Sequence, residues 1–127
     1  MIDSVADTDI VEPALLIRIN QLYYPEMDPE ALYDTTRGVW VLGKRRANAR
    51  YAFAIYQGEI LEVYAIDKWH RAGTTTYSNR EIDLQEYGNR WEFTGTPAAD
   101  IRDRYIGRSV AGYFRRGAAN PVMYVNC

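Results

Sequence analysis

The sequence predicts an α+β domain: a small, curved, mostly antiparallel sheet, or a pseudo-barrel, with helices at its periphery. Three observations lead there. Two aromatic-rich segments, Tyr51–Tyr56 and Ile60–Ile66, flank Gln57-Gly58-Glu59 and read as a hairpin. Further short apolar runs have the length of strands rather than helices. Helix-start chemistry is confined to Asp28-Pro29-Glu30, Thr96-Pro97 and Ser109.

The elements follow in order. Asp3, Asp7, Asp9 and Glu12 fall in the first 12 residues with no base among them. That composition predicts a flexible acidic tail over 1–12, with the domain spanning 13–127. Leu15–Ile19 is a short apolar strand. Asp28 caps a helix, Pro29 fits its first turn, Glu30 suits the positive end of its dipole, and Gly38 stops it after Arg37. Val39–Leu42 is the next strand, and 44–50 is a helical turn or a loop. In the strand 51–56, Tyr51, Phe53 and Ile55 share one face, while Ala52, Ala54 and Tyr56 share the other. Residues 70–90 are polar and form a long surface excursion. Arg90–Thr94 alternates as a strand, a helix covers about 98–106, a second runs from Ser109 to Gly117, and Pro121–Val125 is the last strand. Segments 39–42, 51–57, 60–68 and 90–95 are expected in one curved sheet.

A chain of 127 residues is one domain by length. Cys127 is the only cysteine, which removes internal disulfides and cysteine zinc sites. No apolar run approaches the roughly 20 residues of a membrane span, and no basic-plus-apolar leader is present. A cytoplasmic location with no membrane contact is the expectation. The formal charge of −2 hides an asymmetry: four of the 17 acids lie in the tail, so the body holds 13 acids against 15 bases. Arg37, Lys44, Arg45, Arg46 and Arg50 form a run without an intervening acid, and Arg102, Arg104, Arg108, Arg115 and Arg116 form a second, interrupted only by Asp103. Such patches guide anionic partners, although a solvated face explains either run alone.

No catalytic constellation emerges, so the expectation is a binding module rather than an enzyme, with no cofactor and no metal. His70 has no second histidine or cysteine to pair with. Glu62 and Asp67 are an odd number of residues apart on one strand and face opposite ways. Tyr105-Ile106-Gly107-Arg108-Ser109 matches the second half of the GIY-YIG nuclease signature. The upstream Glu92–Thr96 segment lacks Gly-Ile-Tyr, however, and no acid follows Ser109 to bind a metal. Gly38 to Lys44 lacks the spacing of a phosphate loop.

What remains is aromatic and basic: Trp40, Trp69, Trp91, Tyr56, Tyr64 and Tyr77, with Lys44, Arg45, Arg46 and Arg50. Rings stack on bases, and arginines contact phosphates. Trp40 and Trp91 sit mid-strand, where a core role is simpler. Trp69 ends a strand before a polar loop and is the better pocket wall, with Trp40 or Tyr64 as a second wall, the 70–90 loop as its rim, and Asp67 or a nearby backbone amide reading a base edge. Lys44, Arg45, Arg46 and Arg50 are the phosphate contacts.

The run Gly38-Val39-Trp40, then Gly43-Lys44-Arg45-Arg46, then Tyr51 to Gly58, Val63 to Trp69, Arg90 to Gly95 and Asn120 to Asn126, resembles small PUA-like domains. The EVE and ASCH groups, and modules appended to bacterial restriction-type nucleases, are the relatives in view. The resemblance covers roughly 13–127. It implies a pseudo-barrel that reads RNA or modified DNA through an aromatic pocket, with Trp40 and Trp69 as the pocket-facing rings. It also implies a role in bacterial defence and a nuclease as protein effector. The competing expectation is a protein-interaction or assembly module without nucleic-acid binding.

Overall fold

The structure is a computed structural model that describes residues 7–78, 88–114 and 120–127. The strands are β1 (Ala14–Arg18), β2 (Gly38–Trp40), β3 (Tyr51–Tyr56), β4 (Glu59–Arg71), β5 (Trp91–Pro97) and β6 (Val122–Val125). The helices are α1 (Pro29–Thr36) and α2 (Arg102–Tyr105), with 3-10 turns at Lys44–Asn48 and Ala111–Tyr113. All six strands join one sheet in the order β2-β5-β4-β3-β1-β6. The sheet is small and curled into a half-barrel, giving an α+β fold. It is mixed: β1 runs parallel to β3, and the other pairings are antiparallel.

Both sheet faces are covered. Ala14 and Leu16 join Phe53, Ile60 and Val63 in one core, whereas Leu15 and Ile17 join Ala52, Ala54, Tyr64 and Phe93 in the other. A strand buried on both faces must read as a continuous apolar run, which is what Ala14–Ile17 is. In α1 the Asp28 carboxylate accepts the Ala31 N–H at 2.8 Å, so the expected cap forms. Gly38 differs from expectation. It opens β2 instead of forming a left-handed cap, and a side chain there would collide with the Tyr77 hydroxyl. The hairpin turn is Gln57-Gly58, with φ of 49° and 80°, the two-positive-φ pattern of a type I′ turn.

Three expectations are corrected. Residues 7–12 are not a free tail. Ile10 is 6 % exposed in the core, and the Thr8 N–H donates to the Ser109 carbonyl at 2.9 Å. Glu12 accepts Arg104 at 2.7 Å and the Tyr105 hydroxyl at 2.6 Å. An apolar anchor and paired acids hold this segment on the α2 side. Second, β4 is much longer than predicted and runs through Trp69 to Arg71, because β5 continues to pair with it. Third, the helix expected over about 98–106 contracts to α2, and that expected from Ser109 contracts to a 3-10 turn whose last predicted residues lie outside the described ones.

The start of the 70–90 excursion folds back as a strap on a buried charged cluster. Arg37, Glu92 and Asp34 are nearly or fully inaccessible. Glu92 accepts the N–H of Gly73 at 2.8 Å, the N–H of Thr75 at 2.9 Å, and the hydroxyls of Thr75 and Tyr77. Arg37 donates to Thr75, to the Thr76 and Phe93 carbonyls and to Asp34, and packs 3.8 Å from the centre of the Tyr77 ring. Burial of these charges is tolerable because nearly every donor and acceptor is matched. Arg37 is thus a core ion partner rather than part of a surface basic run. Residues 79–87, the middle of the predicted excursion, lie outside the described residues.

Candidate nucleic-acid site

The site is built where β4 bends. Ile66 pairs with Gly95 and Lys68 with Thr94, so Asp67 is an extra residue in the strand. A bulge of this kind bends a strand and re-aims its side chains. Gly95 permits the bend, because a side chain at that position would strike the Ala65 carbonyl oxygen. Across from the bulge sits the 3-10 turn Lys44–Asn48, which delivers the chain into β3. Trp69 ties the two together: its indole N–H donates to the Arg46 carbonyl at 3.0 Å. Its ring packs edge-on against Phe93, 5.6 Å between centroids.

Between turn and bulge lies a cavity of about 440 Å³. Arg50, Asp67, Lys68 and Trp69 line it, with Ala47, Ala49, Tyr51, Ala65 and Ile66 completing the wall. The alanines matter here: small side chains on the turn and on β4 leave the room that the cavity occupies. Arg50, Asp67 and Lys68 are exposed, and no ion pair or side-chain hydrogen bond engages them among the described residues. Two cations, one carboxylate and a half-buried indole thus surround open space of single-nucleotide dimensions.

The structure brings together Trp69, Asp67 and Arg50 from the predicted set, and Arg46 touches Trp69 through its backbone carbonyl. It separates the others. Trp40 is 8 % exposed, and its indole N–H donates to the Thr36 carbonyl at 2.8 Å, which closes it into the core. Tyr64 is 2 % exposed, packed on Tyr33 and Phe93. Burial first, and the nearby Glu62 carboxylate second, push its phenol far above the usual tyrosine range. Neither ring is a pocket wall. Arg45 turns away, donating to the Cys127 carbonyl at 2.6 Å and lying 4.5 Å from the Tyr124 ring centre. Lys44 is exposed and is not part of the cavity wall. Trp69 is not a strand end either, so its ring serves packing and cavity at once.

Sequence reasoning missed Lys68 and Arg71. The lysine beside a bulge was visible as a residue, but the bulge that aims it comes from cross-strand register. Among the described residues no three His, Cys, Asp or Glu side chains gather as a metal site requires, and no helix is long and apolar enough to cross a membrane. His70 lies with its ring nitrogen 3.0 Å from the Thr94 hydroxyl. No family model, curated protein or solved structure matches this chain.

Proposed function

We propose that the chain is a non-catalytic nucleic-acid-binding module that seats one nucleotide in the cavity beside Trp69. The cavity itself is the observation that carries this reading. Its volume of about 440 Å³ suits a nucleotide, and its rim holds Arg50 and Lys68 without carboxylate partners among the described residues. Unpaired cations beside an indole supply the two attractions that bind nucleotides, phosphate contact and stacking. Asp67 adds an acceptor for an amino group on a base edge. If the base is drawn from a duplex, extrusion costs a few kcal/mol that the cavity must recover. The small curled sheet agrees with a PUA-like reading at the level of architecture alone; a protein effector such as a nuclease is part of the proposal and comes from that resemblance.

The test is the double variant Arg50→Gln, Lys68→Gln, titrated with single-stranded and duplex oligonucleotides. Losing two charge-assisted contacts is expected to weaken binding by about tenfold or more. Both side chains are exposed, so the unfolding midpoint is expected to stay within about 0.5 kcal/mol of the parent. Unchanged affinity returns both residues to a solvated face and favours the protein-interaction reading. Trp69→Ala is a poorer probe, because it also removes the bond to Arg46 and the contact with Phe93.

A further inference from the structure

Beyond the cavity, the same face of β4 carries a second basic and aromatic group. Trp69 and Arg71 are two residues apart and share a sheet face, opposite Phe93 and Trp91 on β5. The Arg46 guanidinium lies 3.4 Å from the centre of the Trp91 ring, and that of Arg71 lies 5.5 Å from it. Two guanidinium groups therefore crowd one half-buried indole. Arg46 donates to the Gly43 carbonyl at 2.9 Å and Arg71 to the Gly88 carbonyl at 3.0 Å, which fixes their positions without neutralising them. Neither has a carboxylate within ion-pair distance among the described residues. Like charges held this close repel, and a bound anion relieves the repulsion.

We propose that the Arg46–Trp91–Arg71 group is a second subsite, which takes the phosphate flanking the nucleotide in the cavity. The ligand is then a single-stranded segment of at least two nucleotides and not a free mononucleotide. This inference rests on the nucleotide reading of the cavity. The two subsites are continuous: Arg46 accepts the Trp69 indole N–H through its carbonyl and covers Trp91 with its side chain. From Asp67 to Arg71 the strand advances about 13 Å, which exceeds the reach of one nucleotide. A phosphate bound by two planar guanidinium groups receives several charge-assisted hydrogen bonds.

The experiment compares each of the four nucleoside 5′-monophosphates with the dinucleotide made by adding one 3′ nucleotide, in ribo and deoxy forms, by calorimetric titration. The parent protein is expected to bind the preferred dinucleotide at least about tenfold more tightly than its mononucleotide. Arg71→Gln is expected to erase most of that difference while leaving mononucleotide affinity unchanged, and Arg71→Lys to restore part of it. A thermal melt on each variant establishes that it is folded. Equal affinity for mono- and dinucleotides in the parent overturns the second subsite and leaves the cavity reading standing. Absence of binding to every probe overturns both. A difference that survives in Arg71→Gln also overturns the assignment.

Discussion

The Tyr64 phenol lies 2 % exposed between the rings of Tyr33 and Phe93, and burial raises its pKa above the usual value of about 10. The linkage has a definite sign. In the folded chain the phenol stays neutral, whereas in the unfolded chain it ionises from about pH 10 upward. The stability tied to the neutral form is complete below pH 10 and is lost as the pH climbs beyond it. Tyr105 adds to the same trend, since burial and its hydrogen bond to Glu12 raise its pKa as well. Unfolding free energy measured between pH 9 and 12 is expected to fall with a slope of up to about 1.4 kcal/mol per pH unit for each such tyrosine. Tyr64→Phe is expected to make that fall shallower; an identical slope in the variant refutes the assignment. The sequence places Tyr64 on a strand beside Ala65, and nothing in that spacing says which face is open. Curling of the sheet and α1 decide it, because Tyr33 from the helix covers the ring.

At the scale of elements, legibility tracks whether a signal is local. The hairpin was readable because Gln57-Gly58 sets its own turn, and α1 was readable because Asp28 and Pro29 act within four residues. The bulge at Asp67 was not readable. It arises from the register of β5, with Gly95 permitting close approach to the Ala65 carbonyl, a relation across many residues of chain. The segment 7–12 misled for a similar reason. Its acids suggest solvation, but Glu12 finds Arg104 and Tyr105, and Asn126 donates to the Ile10 carbonyl at 2.7 Å. Ile10 is the apolar residue that anchors it. Ile10→Ala is expected to cost about 2 kcal/mol or more in denaturant unfolding, the range for truncating a buried isoleucine. A residue in a solvated tail would change stability by less than about 0.5 kcal/mol. A cost that small would return residues 7–12 to the status of a loosely held tail.

At the scale of the whole molecule, charge among the described residues is segregated in a way that the net value conceals. The chain carries −2 with a sequence pI near 5.4, which by itself argues for repulsion of phosphate polymers. Among the described residues, however, four acids are taken up by ion pairs outside the cavity: Asp34 and Glu92 with Arg37, Glu62 with Arg102 and Glu12 with Arg104. Arg46, Arg50, Lys68 and Arg71 gather at one end of β4 and the turn facing it, with exposed Asp67 as the acid among the cavity residues. Screening acts over about 10 Å at 0.1 M salt, so a bound strand responds mainly to the charges exposed at this end of the sheet. Binding is therefore expected to be tight at low salt despite the acidic pI, and to weaken linearly in a log–log plot against salt. Each phosphate contact on a single strand contributes a slope of about −0.7. Contacts from Arg50, Lys68 and Arg71 together give about −2. Arg50→Gln and Arg71→Gln are each expected to reduce the steepness by about 0.7, and their pair by about 1.4. Lys44→Gln and Arg45→Gln serve as controls, because Lys44 is not part of the cavity wall and Arg45 is turned to Cys127 and Tyr124. If all four variants flatten the plot alike, the field is diffuse and the cavity has no special part in it. If only the first two do, the phosphates lie along the bend of β4.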